Sequence, residues 1–160
     1  MAANSRTSIQ TGLRAPRWVT AFNPVSRRVL GAGVPLGPNA LLTVPGRRSG
    51  VPRTTPLAII DRSGHRWVWA PWGDSDWVKN LRAAGRATLS VRGRTEEVTA
   101  YELDDHERIA FFRNVLAPYA GSMRGGYTFV RVIDQVDLHD PEAAAEGRAV
   151  FELKPVEAAG

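Results

Sequence analysis

Asn39-Ala40-Leu41-Leu42-Thr43-Val44-Pro45-Gly46-Arg47-Arg48-Ser49-Gly50-Val51-Pro52-Arg53-Thr54-Thr55-Pro56-Leu57-Ala58-Ile59-Ile60 is the stretch that decides the fold of this chain. Ala40 to Val44 is a near-continuous apolar run, which predicts a strand buried on both faces. Arg53 to Ile60 predicts a second strand, in which Pro56 marks an edge or a bulge. The turn between them needs only small or polar residues. It gains nothing from three guanidinium groups, which repel one another unless an anion sits among them. The planar fork of donors on arginine fits phosphate or carboxylate. Each charge-assisted bond to such a group contributes roughly 1.5–3 kcal/mol. The turn therefore reads as a loop in which Arg47, Arg48 and Arg53 hold the acidic end of a ligand. Three solvated arginines on an exposed hairpin are the plain alternative. Gly46 and Gly50 would let the backbone come close to a ligand, and Arg53 shares a strand face with Thr55 and Leu57.

Downstream, Asp61-Arg62-Ser63-Gly64 reads as a tight turn. His65 to Ala70 predicts a third strand, with Trp67 and Trp69 on one face. Gly73-Asp74-Ser75 supplies a turn and a helix cap. Asp76 to Ala84 predicts a short helix, acidic at its start and stopped by Gly85. Trp77, Asn80, Leu81 and Ala84 fall on one face of it. A polar Asn80 there must bond something, either a loop carbonyl or the polar ring edge of a ligand. Trp69, Trp72 and Trp77 around the strand-to-helix corner are core residues individually, and together could wall a planar aromatic site.

Arg86 to Val91 and Thr95 to Leu103 predict a hairpin around Arg92-Gly93-Arg94. Asp104-Asp105 caps a helix whose Ile109, Phe112 and Leu116 face inward and which Pro118 ends. Tyr119 to Gly147 reads as a loop with a helical turn or two, and Ala149 to Leu153 as a last strand. Upstream, residues 1–15 are expected to be flexible. Residues 16–31 predict a helix that starts at Pro16 and is kinked at Pro24, followed by a Gly/Pro-rich loop. Strands joined by short turns imply an antiparallel sheet in an α+β chain. Closed on itself, such a sheet is a small barrel with helices packed outside, and the 160 residues make one domain.

The formal net charge is +5, almost all of it from arginine, since Lys79 and Lys154 are the only lysines. The sign favours an acidic partner, but the interspersed carboxylates leave no basic stripe for nucleic acid. There is no cysteine, which excludes disulfides and thiolate chemistry. Met1 to Gln10 has no apolar signal-peptide core, and no run is long enough to span a membrane. A cytoplasmic protein is the expectation. His65, His106 and His139 lack metal-site spacing, and the glycines of residues 31–37 miss the dinucleotide fingerprint. Tyr119 and Tyr127 are the remaining candidates for donating a proton. An anion clamp beside aromatic residues, with no acid–base or metal constellation, suits a domain whose cofactor does the reaction.

Asn39 to Gly50, Pro52 to Pro56, Ala70-Pro71 and Trp77-Val78-Lys79-Asn80-Leu81-Arg82-Ala83 resemble the deazaflavin-dependent nitroreductase family. The resemblance runs from about Asn39 to Leu103. It implies a split β-barrel of the FMN-binding type and coenzyme F420, a deazaflavin with a phospholactyl-polyglutamate tail. Arg47, Arg48 and Arg53 match the positions that hold the phosphate and tail, with Ser49, Gly50, Thr55 and Pro56 in the same hairpin. Ala70, Pro71 and Trp72 match the segment beside the ring, and Trp77, Asn80 and Leu81 the helix that follows. Some members carry serine and lysine where this chain has Pro71 and Trp72, a departure that counts against nitroimidazole-like substrates.

The resemblance thus implies a reductase passing a hydride from reduced F420 to a small electron-poor acceptor, a quinone, enone or nitroaromatic. FMN is the second choice of cofactor. The rival reading is a non-enzymatic split barrel that carries a flavin, haem, bilin or lipid. A third is peripheral membrane binding through the arginines of the first helix. Either a monomer or a homodimer is compatible with the sequence.

Overall fold

The computed structural model describes residues 39–157, so the helix expected over 16–31 lies outside the described residues. Seven antiparallel strands form one curled sheet: β1 (Ala40–Pro45), β2 (Pro52–Leu57), β3 (Ile59–Arg62), β4 (His65–Trp69), β5 (Arg86–Val91), β6 (Arg94–Glu102) and β7 (Val150–Pro155). Their order across the sheet is β2-β1-β5-β6-β7-β4-β3. Helix α1 (Asp76–Ala84) joins β4 to β5. Between β6 and β7 come α2 (Asp105–Phe111), a wide turn (Phe112–Leu116), α3 (Ala117–Gly121), α4 (Gly126–Ile133) and α5 (Pro141–Ala145). This is the antiparallel α+β arrangement that the strand pattern predicts and the split barrel that the resemblance implies.

The single strand expected from Arg53 to Ile60 is in fact two, broken at Ala58. β2 and β3 lie at opposite ends of the strand order yet are joined by that one residue. A bent segment of chain thus brings the two edges of the curled sheet together. Asn39 holds the bend. Its backbone N–H donates to the Leu57 carbonyl at 3.0 Å. Its side-chain oxygen accepts from the Ile59 N–H at 2.7 Å, and its side-chain nitrogen donates to the Ile59 carbonyl at 3.1 Å. The side-chain amide acts as one more peptide unit where the ladder would otherwise lapse.

Two apolar clusters lie on the two faces of the sheet. The interior one contains Leu42, Val44, Val68, Leu81, Leu89, Val98, Phe151 and Leu153. The outer one gathers Ile60, Trp69 and Val150 under Phe111, Phe112, Leu116 and Val130 of the helices. Strands β3, β4 and β7 therefore feed both clusters with alternate residues. β1 does not: Ala40, Leu42 and Val44 are buried, whereas Leu41 and Thr43 are only half-buried. The apolar run that predicted burial on both faces is covered on one, because the described helices pack over the other end of the sheet.

The helix after β6 begins at Asp104 with a reciprocal cap. The Asp104 side chain accepts from the Glu107 N–H at 2.8 Å, and Glu107 accepts from the Asp104 N–H at 2.9 Å. It does not stop at Pro118. The Ala117 N–H reaches back to the Phe112 carbonyl, five residues earlier. This wide turn relieves the clash a proline ring makes with the carbonyl four residues before it. The chain continues as α3 to Gly121, and the segment read as mostly loop holds three short helices. Phe112 meets Trp69 edge-on, with ring centroids 5.5 Å apart.

Asn39→Ala is expected to cost about 1–3 kcal/mol, because both polar groups of Ile59 lose their partner; urea unfolding measures it. A second prediction concerns Asp134, whose carboxyl is pushed by burial up to about 7 while Arg148 pulls it down. The folded protein then holds a proton that the unfolded chain has lost, so stability falls as pH rises between about 4 and 7. Asp134→Asn is expected to flatten that slope and to raise the unfolding midpoint above about pH 7.

Candidate functional site

Helix α1 is the fixed wall of the site. Val78 and Leu81 are fully buried in the interior cluster, with Trp77 and Ala84 packed beside them. Gly85 ends the helix in the left-handed region, its N–H bonding the Leu81 carbonyl at 2.8 Å. On the far side Arg82 grips Glu102 of β6 with two bonds, of 2.8 and 2.7 Å, and reaches Asp74 at 3.4 Å. Those bonds raise its pKa further. The helix is thus held by the core on one side and by β6 on the other.

The opposite wall is the tip of the β1–β2 hairpin. The Gly46 N–H donates to the Val51 carbonyl at 2.9 Å and the Gly50 N–H to the Gly46 carbonyl at 2.8 Å. Gly50 has φ +69°, and a Cβ on Gly46 would lie 3.0 Å from the Ser49 hydroxyl. The turn itself thus accounts for both glycines: Gly50 by its left-handed backbone, and Gly46 by the crowding a side chain would meet from Ser49 and the Val51 carbonyl.

Hairpin and helix meet through Asn80. Its side-chain oxygen accepts from the Arg47 backbone N–H at 3.1 Å and from Arg47 Nη1 at 2.9 Å. Arg47 Nη2 donates to Asp76 Oδ1 at 3.2 Å. The oxygen of Asn80, a residue only 6% exposed, thus takes both of its donors from the arginine loop.

A cleft of about 480 Å³ lies between the two walls. Arg47, Arg48, Ser49, Arg53 and Thr55 line it from the hairpin, and Trp77 and Asn80 from the helix. Gly46, read as a point of close backbone approach, lines it too, and Val44, Thr54 and Asp76 complete it without having been singled out as site residues. Thr54 is fixed by a 2.8 Å bond to the Thr43 hydroxyl, and an alternation count from Arg53 would not place it there. Asp76 was legible only as an acidic first-turn residue of α1. Three guanidinium groups against one carboxylate give the cleft a positive balance of charge. Arg47 shares its charge with Asp76, while Arg48 and Arg53 form no ion pair among the described residues.

The other candidates lie elsewhere. Leu81 and Ala70 are buried in the interior cluster, and Pro56 stands opposite Leu41 in the β1–β2 ladder. Gly50, Pro71 and Trp72 are not among the cleft-lining residues. Trp72 has its ring N–H buried without a partner, as has the Ser75 hydroxyl. Trp69 and Trp77 do not wall one site, because the sheet separates them. Trp69 packs in the outer cluster against Phe112, whereas Trp77 faces Phe151 of the interior one. Tyr119 packs against the outer cluster. Tyr127 stacks on His139, centroids 5.1 Å apart, beside a second hollow of about 420 Å³.

A family model described as F420H(2)-dependent quinone reductase matches residues 16–128. Among solved structures, an F420-H2 dependent reductase (FDR-A) is similar to this chain with a TM-score of 0.50 and 19% identity, over 72% of this chain and 92% of that one. An F420 reductase matches with a TM-score of 0.45 and 15% identity, over 77% and 88% of the two chains. A conserved hypothetical protein from Mycobacterium tuberculosis matches with a TM-score of 0.48 and 14% identity, over 92% and 85%.

Asn80→Ala strips Arg47 of the acceptor for its backbone N–H and one guanidinium nitrogen. Unfolding in urea is expected to show a loss of about 1–3 kcal/mol. Amide exchange of residues 47–50 should quicken while that of β5 stays unchanged.

Proposed function

The chain belongs to the F420H(2)-dependent quinone reductase family, and on that premise we propose that the cleft between the arginine hairpin and α1 receives the anionic tail of F420. The protein is an F420-dependent reductase, as its family shows. The observation that carries the site assignment is the convergence of Arg47, Arg48 and Arg53 on one cleft with the Ser49, Thr54 and Thr55 hydroxyls. That donor set fits a phosphodiester followed by carboxylates. It offers two guanidinium groups without an ion pair among the described residues, and one held in place by Asn80 and Asp76.

In this reading Arg48 and Arg53 grip the tail, and Ser49 and Thr55 add neutral donors. Gly50 and Pro56 shape the hairpin that presents them. Trp77 and Asn80 form the wall leading toward the loop of Ala70, Pro71 and Trp72, which flanks the ring, while Leu81 anchors that wall from within the core. The unpartnered ring N–H of Trp72 is a donor available to a polar ligand edge.

F420, when bound and reduced, supplies a hydride to a small electron-poor acceptor, for which a quinone fits the family best and an enone or nitroaromatic is the next choice. The work of the chain is to orient the reactants and exclude water from between them. Water supplies the proton to the reduced acceptor in this reading, because Tyr119 and Tyr127 sit with the outer helices.

Fluorescence titration with F420 tests the site. Arg48→Ala and Arg53→Ala are each expected to weaken binding by about tenfold or more, since each removes a charge-assisted bond of roughly 1.5–3 kcal/mol. Both should also flatten the salt dependence of binding. Unchanged affinity in both variants would move the tail to another surface. Turnover of a simple benzoquinone with reduced F420 checks the acceptor class, and tight binding without turnover of any acceptor would favour a carrier. FMN titrated alongside is expected to bind more weakly.

A further inference from the structure

Where β4 leaves the sheet, its ladder with β7 runs out of donors. Trp69 stands opposite Val150, and the Ala70 N–H donates to the Ala149 carbonyl at 2.9 Å. The next residue, Pro71, has no N–H to give. Its counterpart on the other strand is Arg148, and there a side chain takes over from the backbone. Arg148 Nε donates to the Pro71 carbonyl at 2.9 Å, Nη1 to the Ala144 carbonyl at 3.0 Å and Nη2 to the Gln135 carbonyl at 3.3 Å.

Arg148 is only 6% exposed, and although the Asp134 carboxylate acts on it electrostatically, no ion pair to it is formed among the described residues. Burying such a charge is costly unless fixed dipoles replace water. Three carbonyls from three separate segments do so here: the loop after β4, the connection after α4 and the end of α5. Gln135 adopts φ +58°, a rare conformation for a residue other than glycine, in the segment that supplies one of those carbonyls.

Within the loop the Ser75 N–H donates to the Gly73 carbonyl at 2.9 Å, and from outside it Arg82 reaches Asp74 at 3.4 Å. Ser75, at the cap position of α1, makes no side-chain capping bond, and its hydroxyl is buried without a partner. The loop runs directly into α1, whose Trp77 and Asn80 line the cleft. We propose that Arg148 is a positioning residue of the reductase, tying the Pro71–Ser75 loop at the rim of the cofactor site to the C-terminal helices. The proposal rests on the reading that Pro71 and Trp72 flank the ring of F420. It concerns how those residues are placed, not whether the arginine hairpin binds the tail.

Arg148→Lys keeps the charge but replaces a three-pronged planar donor with one ammonium, and Arg148→Met removes the charge altogether. Hydrogen–deuterium exchange on the ligand-free protein reads the placement directly. The amides of residues 72–75 are expected to exchange about tenfold faster in both variants, with β1 and β5 as protected as in the wild type. In turnover, kcat with a benzoquinone should fall by about tenfold, while the Kd for F420 changes by less than about threefold because the hairpin is untouched.

Unaltered exchange at 72–75 in both variants would overturn the proposal. So would loss of protection spread evenly over β1 and β5, which would make Arg148 a general stability residue, or a fall in affinity as large as that in kcat. Should the Met variant fail to fold, the Lys variant carries the test. Absence of F420 binding by the wild type would remove the cofactor-site reading, and the exchange data would still judge the tie between Arg148 and the loop.

Discussion

One carboxamide oxygen organises the cleft. Asn80 receives two donors from Arg47, one from the backbone and one from the guanidinium, and so fastens the hairpin tip to a helix whose other face is in the core. A hairpin carrying three like charges tends to spread into solvent, since each guanidinium is better hydrated alone. The bond removes one arginine from that tendency and leaves the other two beside a surface that cannot move. Asp76 stands at the first turn of the same helix, where the N-terminal end of the dipole favours a carboxylate, and completes the tether. The three arginines are therefore not equivalent. Arg47 is built into the wall, while Arg48 and Arg53 line the cleft without an ion pair among the described residues.

The sheet decides which end of the described molecule the helices cover. Its two edges belong to one bent segment, β2 and β3 joined at Ala58, with the Asn39 amide bridging the corner. The described helices of the β6–β7 connection cover β3, β4 and β7, where Trp69, Ile60 and Val150 demand burial on the outer face. β1 receives no such cover among the described residues, and its hairpin projects beside α1. Core formation and site formation are thus separated in space. The strands that need two apolar faces take the helices, and the strands that carry the arginines do not.

Local chemistry made much of this legible. The acidic start, apolar face and terminal glycine of α1 are all written within residues 75–85, although Ser75 makes no side-chain capping bond, and the Asp104–Glu107 cap lies within one helical turn. The β5–β6 hairpin announces itself through Arg92-Gly93-Arg94, where both Arg92 and Gly93 take positive φ. The break at Ala58 was not visible, because Leu57-Ala58-Ile59-Ile60 contains no glycine or proline and the bend is stabilised by Asn39, distant in sequence. Pro118 pointed the wrong way for a similar reason. A proline normally ends a helix, but a widened turn that buries Phe111, Phe112, Leu116 and Ala117 together offsets the lost hydrogen bond with packing.

From the chain alone one can derive an antiparallel sheet, a hairpin with clustered arginines and a helix with one apolar face, because periodicity, turn residues and charge clustering act over a few residues. Which arginine serves as a strut, which tryptophans share a face of the sheet, and what keeps the Pro71 loop in place were decided only in three dimensions. Asn80 is 33 residues from Arg47, and Arg148 is 77 from Pro71. Such pairings exist only once the sheet has curled, since nothing in the local sequence of either partner favours the other until burial leaves no competing water.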